Sequence, residues 1–408
     1  MVEHSLDVGR VTGSNPVSRT VKILAIETSC DETAIALVEG SGNIHSPSFK
    51  VLGSSLLSQI DLHKEFGGVY PNLARREHAK NLIPLLLKTL QDSGLYKEKN
   101  IHESLNPTIK SRLEEIFIKE PELYLAFMDT IPQIEVPDID LIAVTEGPGL
   151  APALWVGVNF ADGLRAIWNK PALPVNHMEG HIWSTLLNDG DISFPSIALL
   201  VSGGHTELVY VKDFGDFKVI GKTRDDAIGE AYDKVARLLG LPYPGGPALS
   251  HLAQIHRNSG KERRILFTEP MVNSNDFDFS YSGLKTSVLY KLKEFSEITP
   301  EIKEEIARAF EEAAIGSIIT KTRKAIDTFE ARSLIVGGGV IANTYLRSRL
   351  AELVSQYDNL VLKLPERHLS TDNAVMIGMS AWLGAKKNPS ILNLDFLPQL
   401  KANGNLSF

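Results

Sequence analysis

Two histidines open the chemistry of this 408-residue chain. In the stretch VNHMEGHIW, residues 175–183, His177 and His181 stand four apart with Glu179 between them. On a helix, positions i and i+4 lie one above the other on one face, so two imidazoles at this spacing can reach one ion. The protease form of such a pair carries a glutamate directly after the first histidine as general base. Here that position is Met178. Glu179 lies roughly 200° around a helix of 3.6 residues per turn and points away from the shared face. The same spacing also suits histidines that cap a helix or line a polar cleft, so the pair alone leaves metal binding open.

Glycine turns come next. VSGGHT follows an apolar run, and glycines there let backbone N–H groups approach an oxyanion such as a phosphate. VGGGV, residues 336–340, leads from an apolar run into a helical pattern and offers N–H groups at a positive helix end. Each stretch is also explained by a tight turn in which glycine relieves strain. The stretch DDAIGEAYDKVARLLGLPYPGGPALS holds Asp225, Asp226, Glu230 and Asp233, then Gly245 and Gly246 between Pro244 and Pro247. Carboxylates there suit ribose hydroxyls, or simply an acidic first turn of a helix. No G-x-x-x-x-G-K-[ST] or G-x-G-x-x-G fingerprint occurs.

The elements that must position these residues are legible as periods. KILAIETSCDETAIALVEG reads as a β-hairpin whose tip carries Thr28, Ser29, Asp31, Glu32 and Thr33. SIALLVSGGHTELVYVKD repeats that design downstream. DLIAVTEGPGLAPALWVGVNFADGLRAIW is a strand, a Gly-Pro loop and a helix. SLIVGGGVIANTYLRSRLAEL is a buried strand, a glycine turn and a helix with Leu346, Leu350 and Leu353 on one face. The pattern suggests one lobe duplicated, and this order of hairpins and glycine turns is how two-lobed nucleotide-binding proteins of the actin and sugar-kinase kind are built. NLIPLLLKTLQDSG is a helix ending at Gly94. Residues 92–137 break the rhythm and read as a helical insertion on the surface, with helices around SRLEEIFI and ELYLAFM. TDNAVMIGMSAWLGAKK opens with Thr371 or Asp372 in N-cap position.

Composition narrows the class. Hydrophobic residues are 43% and charged residues 23%, as in ordinary globular proteins. No apolar run approaches the roughly 18–20 residues that span a bilayer. The one cysteine, Cys30, excludes an intrachain disulfide framework and fits a reducing compartment. With a net charge of −8, RNA binding would need local basic patches. The candidates are Arg75, Arg76 and Lys80, and Arg257, Lys261, Arg263 and Arg264. Residues 1–20 show no period, no apolar signal core and no acid-poor presequence character. They read as a disordered or mis-annotated leader, dispensable for folding.

Taken together and in order, ETSCDET, PNLARREH, TEGPGL, HMEGH, LLVSGGHT, GEAYDKVARLLGLPYPGGP, YSGLKT, GGGVIAN and STDNAVMIG resemble the TsaD family, the tRNA N6-adenosine threonylcarbamoyltransferases, in its bacterial and organellar branch. The resemblance covers about residues 22–385. It departs at Asn72, where glutamate is more frequent, and at Tyr281, where phenylalanine is common. It implies an α/β fold with two actin-like lobes, that of acetate and sugar kinases, heat-shock chaperones and actin. The expected division is a leader at 1–20, an N-terminal lobe at 21–174 with insertion 92–137, a C-terminal lobe at 175–370, and a helix and tail at 371–408 packing back on the N-terminal lobe.

The resemblance also implies a divalent metal, Fe2+ before Zn2+, held by His177, His181 and Asp372. The nucleotide of threonylcarbamoyl-AMP would lie on Leu200, Val201, Ser202, Gly203 and Gly204, with Asp233, Gly246 and Asn343 completing its pocket. The implied reaction is metal-assisted transfer of threonylcarbamoyl to adenosine 37 of tRNAs reading ANN codons. Its implied partners are tRNA, threonylcarbamoyl-AMP and helper proteins of the TsaB and TsaE type, in the cytoplasm and away from membranes. Cys30 need not be a nucleophile, and Glu32 is a candidate base only. A metalloprotease, the old reading of this family, and a non-catalytic nucleotide-binding scaffold are the rival functions.

Overall fold

A computed structural model describes residues 20–99, 105–187 and 191–408, so all but the last residue of the expected leader lies outside it. The first lobe is built on a five-stranded sheet of β1 (Val21–Glu27), β2 (Glu32–Asn43), β3 (Ser46–Ser58), β4 (Leu141–Gly147) and β5 (Ala172–Asn176). Its spatial order is β3-β2-β1-β4-β5. β1 to β3 form an antiparallel meander, and β4 and β5 run parallel to β1. The second lobe repeats this with β6 (Ser196–Val201), β7 (Thr206–Asp213), β8 (Asp216–Lys222), β9 (Ser333–Gly337) and β10 (Val361–Lys363), in the order β10-β9-β6-β7-β8. In both sheets the first strand lies at the centre, flanked by the second and third on one side and the fourth and fifth on the other. The duplicated-lobe reading is therefore correct at the level of topology.

Helices cover the first sheet with α1 (Ile60–His63), α2 (Pro71–Asp92), α3 (Pro107–Ile116), α4 (Pro121–Thr130) and α5 (Ala151–Trp168). A short helix, α6 (His177–Trp183), joins the lobes. α7 (Ile228–Leu238), α8 (Gly245–Asn258), α9 (Ser282–Lys293), α10 (Pro300–Phe329) and α11 (Thr344–Val354) serve the second lobe. The last helix, α12 (Ala374–Lys387), packs on β1, β2 and β5 of the first lobe. Its residues Ala374 to Leu383 are buried without interruption, the mark of a helix enclosed on all sides. Close approach explains Gly40: a Cβ there would stand 2.2 Å from the Trp382 ring.

Three expectations need correction. The boundary at 174/175 falls inside β5, and the first sheet continues to Asn176. The described helices of 92–137 lie at the surface but are not a mere excursion from it. α3 and α4 form where expected, but Leu113, Phe117, Leu123 and Phe127 are buried in the first lobe's core, with Phe127 edge-on to Phe160 of α5 at 5.8 Å. Finally, neither Thr371 nor Asp372 caps α12. Asn373 does, its side-chain oxygen accepting from the Met376 N–H at 3.0 Å. Asp372 is thereby released from the structural role that its position suggested.

A candidate metal centre between the lobes

His177 and His181 lie on α6 because β5 ends at Asn176, whose side chain caps the helix by accepting from the N–H groups of Met178 (2.8 Å) and Glu179 (3.3 Å). α6 packs on α12 and on the ends of β5, β6 and β9. Gly337 at the end of β9 permits this contact, since a Cβ there would come within 2.8 Å of the His181 carbonyl. The turn before α12 brings Asp372 to the same place. Its Oδ1 is 3.1 Å from His181 Nε2 and 3.4 Å from His177 Nε2. Across almost two hundred residues of chain, the three candidate ligand atoms fall within 4.8 Å of one another. The imidazole rings stand nearly perpendicular, with centroids 4.7 Å apart. Glu179 turns the other way and accepts from Ser380 on α12 at 3.5 Å.

The centre carries strong fields. Burial opposes charge on His177, but the carboxylates of Asp372 and Glu27 outweigh it and hold the imidazole well above its ordinary range. Burial likewise pushes Asp372 upward, but His177 and His181 hold it well below the carboxylate range. Glu27, at the end of β1, is fully buried, and its Oε2 lies 3.0 Å from His177 Nδ1. Nothing in the sequence pattern singled it out. The tip of the first hairpin borders the centre, where the Ser29 hydroxyl reaches Asp372 Oδ2 at 3.5 Å. Burial, with Asp372 and Asp31 adding to it, pushes Glu32 up to about 9. Burial and the neighbouring Asp31 and Asp372 also push the Cys30 thiol well up, which leaves it a poor nucleophile.

The second hairpin faces the centre from the other lobe. Its His205 is pushed down to about 4 by burial, with His177 and His181 adding to the effect, so it is neutral near pH 7. The hairpin tip is closed by Ser202, whose hydroxyl accepts from the N–H groups of Gly204 (3.3 Å) and His205 (3.0 Å). A Cβ at Gly203 or Gly204 would meet nothing within 4 Å. Leu200 and Val201 do not belong to this free tip. They are core residues, paired in register with Glu207 and Thr206 of β7, and Leu200 also with Gly337 of β9. Asp233 on α7 accepts from the Gly245 N–H at 2.7 Å, at the start of α8, where Gly246 has open space. Asn343 caps α11 and donates to Glu311 (2.8 Å) and Ser250 (2.9 Å). Asp233 and Gly246 thus lie on α7 and α8, the Ser202 carbonyl takes the Gly229 N–H of α7, and Asn343 reaches Ser250 of α8, all in one lobe.

The other acidic residues of that stretch are engaged structurally. Asp225 takes the hydroxyls of Ser280 and Ser282 at the start of α9, and Asp226 and Glu230 pair with Lys234.

The chain matches the sequence profile of TsaD, tRNA N6-adenosine threonylcarbamoyltransferase, over residues 50–102 and 125–379. A protein of that name from Kosmotoga olearia is 42% identical over 368 residues, covering 90% of this chain and 94% of the relative. The chain belongs to the TsaD family. It is accordingly an enzyme of the acyltransferase class. Relatives of the same name from Staphylococcus haemolyticus (40% identical, 90% of this chain, 92% of theirs) and Burkholderia ambifaria (38%, 94% and 98%) extend the match. A solved structure of full-length HypF in a phosphate- and nucleotide-bound form superposes with a TM-score of 0.52 at 12% identity, covering 91% of this chain and 56% of that one. That likeness supports the two-lobed actin-like fold. The TsaD profile leaves residues 103–124 unmatched, inside the expected 92–137.

The basic patches are partly engaged within the protein. Arg75 pairs with Glu120 at 2.8 Å and also bonds the Lys119 carbonyl. Arg257 pairs with buried Glu311 and lies over the Tyr345 ring at 3.8 Å, and Arg263 pairs with Glu312. Arg76, Lys80, Lys261 and Arg264 stay exposed. Among the described residues no helix is long and apolar enough to cross a membrane.

Proposed function

We propose that the protein transfers the threonylcarbamoyl group from threonylcarbamoyl-AMP to the exocyclic amine of adenosine 37, on the 3′ side of the anticodon, in tRNAs reading ANN codons. The observation that carries this reading is the convergence of His177, His181 and Asp372 beside a glycine hairpin in a TsaD-family chain. Metal–ligand bonds of about 2.0–2.2 Å place neighbouring ligand atoms about 3.0–3.6 Å apart. The Nε2-to-Oδ1 separations of 3.1 and 3.4 Å match that spacing. Two imidazoles and one carboxylate suit Fe2+, our first assignment, or Zn2+. Such an ion would act as a Lewis acid on the carbamoyl carbonyl and leave positions open for substrate.

The chain's own groups do the rest. Ser202, Gly203 and Gly204 present open backbone to the AMP moiety, and Asp233, Gly246 and Asn343 border the nucleotide. The adenosine N6 lone pair attacks the carbonyl carbon and forms a C–N bond. The C–O bond to phosphate breaks, AMP leaves with the electron pair, and the N6 proton passes to the departing phosphate oxygen. Glu32, which burial with Asp372 and Asp31 pushes up to about 9, is protonated near neutrality and is therefore not a free base in the metal-free protein. The target base lies in a loop, where splaying out is cheaper than in a duplex. The working assembly is tRNA with helper proteins of the TsaB and TsaE type, in the cytoplasm. A protease would need a base beside the ion, and Glu179 instead faces Ser380.

The test is to incubate protein, helpers, tRNA and threonylcarbamoyl-AMP with Fe2+ or Zn2+ and to analyse the anticodon-loop nucleosides by mass spectrometry. Threonylcarbamoyladenosine is expected. Unmodified adenosine with either ion would overturn the reading.

A further inference from the structure

We propose that Glu27 is the positioning residue of this centre, holding His177 with its Nε2 turned toward the point it shares with His181 and Asp372. The inference rests on the metal reading above and adds a residue to it. Glu27 is the last residue of β1 and is wholly shielded from solvent. Its Oε1 accepts from the Ser29 N–H at 2.5 Å. Its Oε2 accepts from the Thr145 hydroxyl at 2.6 Å and faces His177 Nδ1 at 3.0 Å. Among the described residues, His177 is the one basic group shown in contact with it.

A buried carboxylate without a cation is costly, so its place needs a reason. Packing alone would be served by an uncharged side chain. A carboxylate that takes the Nδ1–H of an imidazole fixes the ring, leaves the Nε2 lone pair free and raises its basicity as a ligand. It also supplies a second negative charge beside that of Asp372, and two charges balance a divalent ion. The two histidines differ in this respect. His181 Nδ1 is buried with no hydrogen-bond partner in the structure. Orientation by a carboxylate is therefore a property of His177 alone.

The test is a competition titration of Zn2+ and Co2+ against a chromophoric chelator, using the full chain as wild type, Glu27→Gln, Glu27→Asp and His177→Ala. Wild type should bind one ion. Glu27→Gln, which keeps the shape and removes the charge, should bind it about 10–100-fold more weakly. Glu27→Asp should also bind more weakly, because the carboxylate withdraws by one methylene. Glu27→Gln also leaves a buried donor of Ser29, Thr145 or His177 without an acceptor and should lower the metal-free unfolding midpoint. The readout that a merely structural role would not move is therefore the metal affinity of protein shown to be folded. If wild type binds no ion, the metal reading itself fails. If wild type binds and Glu27→Gln binds equally well, this inference is overturned while the metal reading stands. Should Glu27→Gln not fold, Thr145→Val removes one donor to the same Oε2 and must weaken binding several-fold. Unchanged affinity there overturns the inference.

Discussion

Replacing Asp372 by asparagine separates chemistry from architecture, because the adjacent residue carries the architecture. Asn373 caps α12 through Met376 N–H and gives its own amide to the carbonyls of Leu369 (3.2 Å) and Thr371 (2.8 Å). Asp372 holds no cap and points its Oδ1 at two imidazole nitrogens, 3.1 and 3.4 Å away. Asp372→Asn removes one negative charge from a three-ligand set and leaves the helix start intact. We expect an intact start of α12 with some loss of metal-free stability from the broken Asp372–His177 pair, reduced metal content after desalting, and transfer slowed by at least the order of 10²-fold. At 1.36 kcal/mol per decade that is about 2.7 kcal/mol, the scale of one lost electrostatic contact in a transition state. Asn373→Ala should show the reverse weighting. A lost cap costs about 1 kcal/mol and each lost hydrogen bond about as much, giving about 3 kcal/mol of stability. His177→Ala should match Asp372→Asn, and the double variant should be little worse than either, since ligands of one ion act as a unit. Metal content by plasma mass spectrometry and single-turnover transfer provide the readouts. Full metal occupancy with normal transfer in Asp372→Asn would refute the reasoning.

Acid should destabilise the metal-free protein through His78, which burial pushes down to about 4 from 6.5. Above pH 6.5 the group is neutral in both states. Between 6.5 and 4 the unfolded chain takes the proton first, so stability falls, by on the order of 3 kcal/mol in total. His205, also pushed down to about 4, titrates through the same window, so His78→Gln should reduce the slope without abolishing it in denaturation curves taken from about pH 7 to 4, and an unchanged slope would contradict the assignment. Replacing residues 103–124 with a short linker should lower stability by on the order of 2–3 kcal/mol for each of Leu113, Phe117 and Leu123 removed from the core. A neutral outcome in urea unfolding would restore the surface-insertion reading. Reversing the exposed charges Arg76, Lys80, Lys261 and Arg264 should weaken tRNA binding and reduce its salt slope by about one unit per lost phosphate contact. Intact affinity and slope would mean that RNA docks elsewhere.

What the sequence revealed follows from how local each signal is. Both hairpins were readable because apolar runs alternate with small polar tips, as in β1 and β2 around Thr28 to Asp31. The fold and the family followed from the order of such motifs. His177 and His181 were readable as a pair because four residues make one helical turn. Asp372 had no local link to them, and only the resemblance placed it there. Glu27 was hidden because it ends an apolar strand, and its partner His177 lies 150 residues away. Arg257 was misjudged for the same reason, with Glu311 lying 54 residues further on. The insertion's charged surface masked a buried stripe of Leu113, Phe117, Leu123 and Phe127, whose core partners lie on α5. The resemblance also pointed to the backbone of Leu200 and Val201, which strand register pairs within the second sheet.

The most direct test of the central claim is paired stoichiometry. AMP released from threonylcarbamoyl-AMP and threonylcarbamoyladenosine formed at position 37 would be counted in one reaction, for wild type and His177→Ala loaded with the same ion. One AMP per modified adenosine in wild type, with both products lost together in His177→Ala, is the predicted result. Equal yields from the two proteins, or AMP release with unmodified tRNA, would contradict the account.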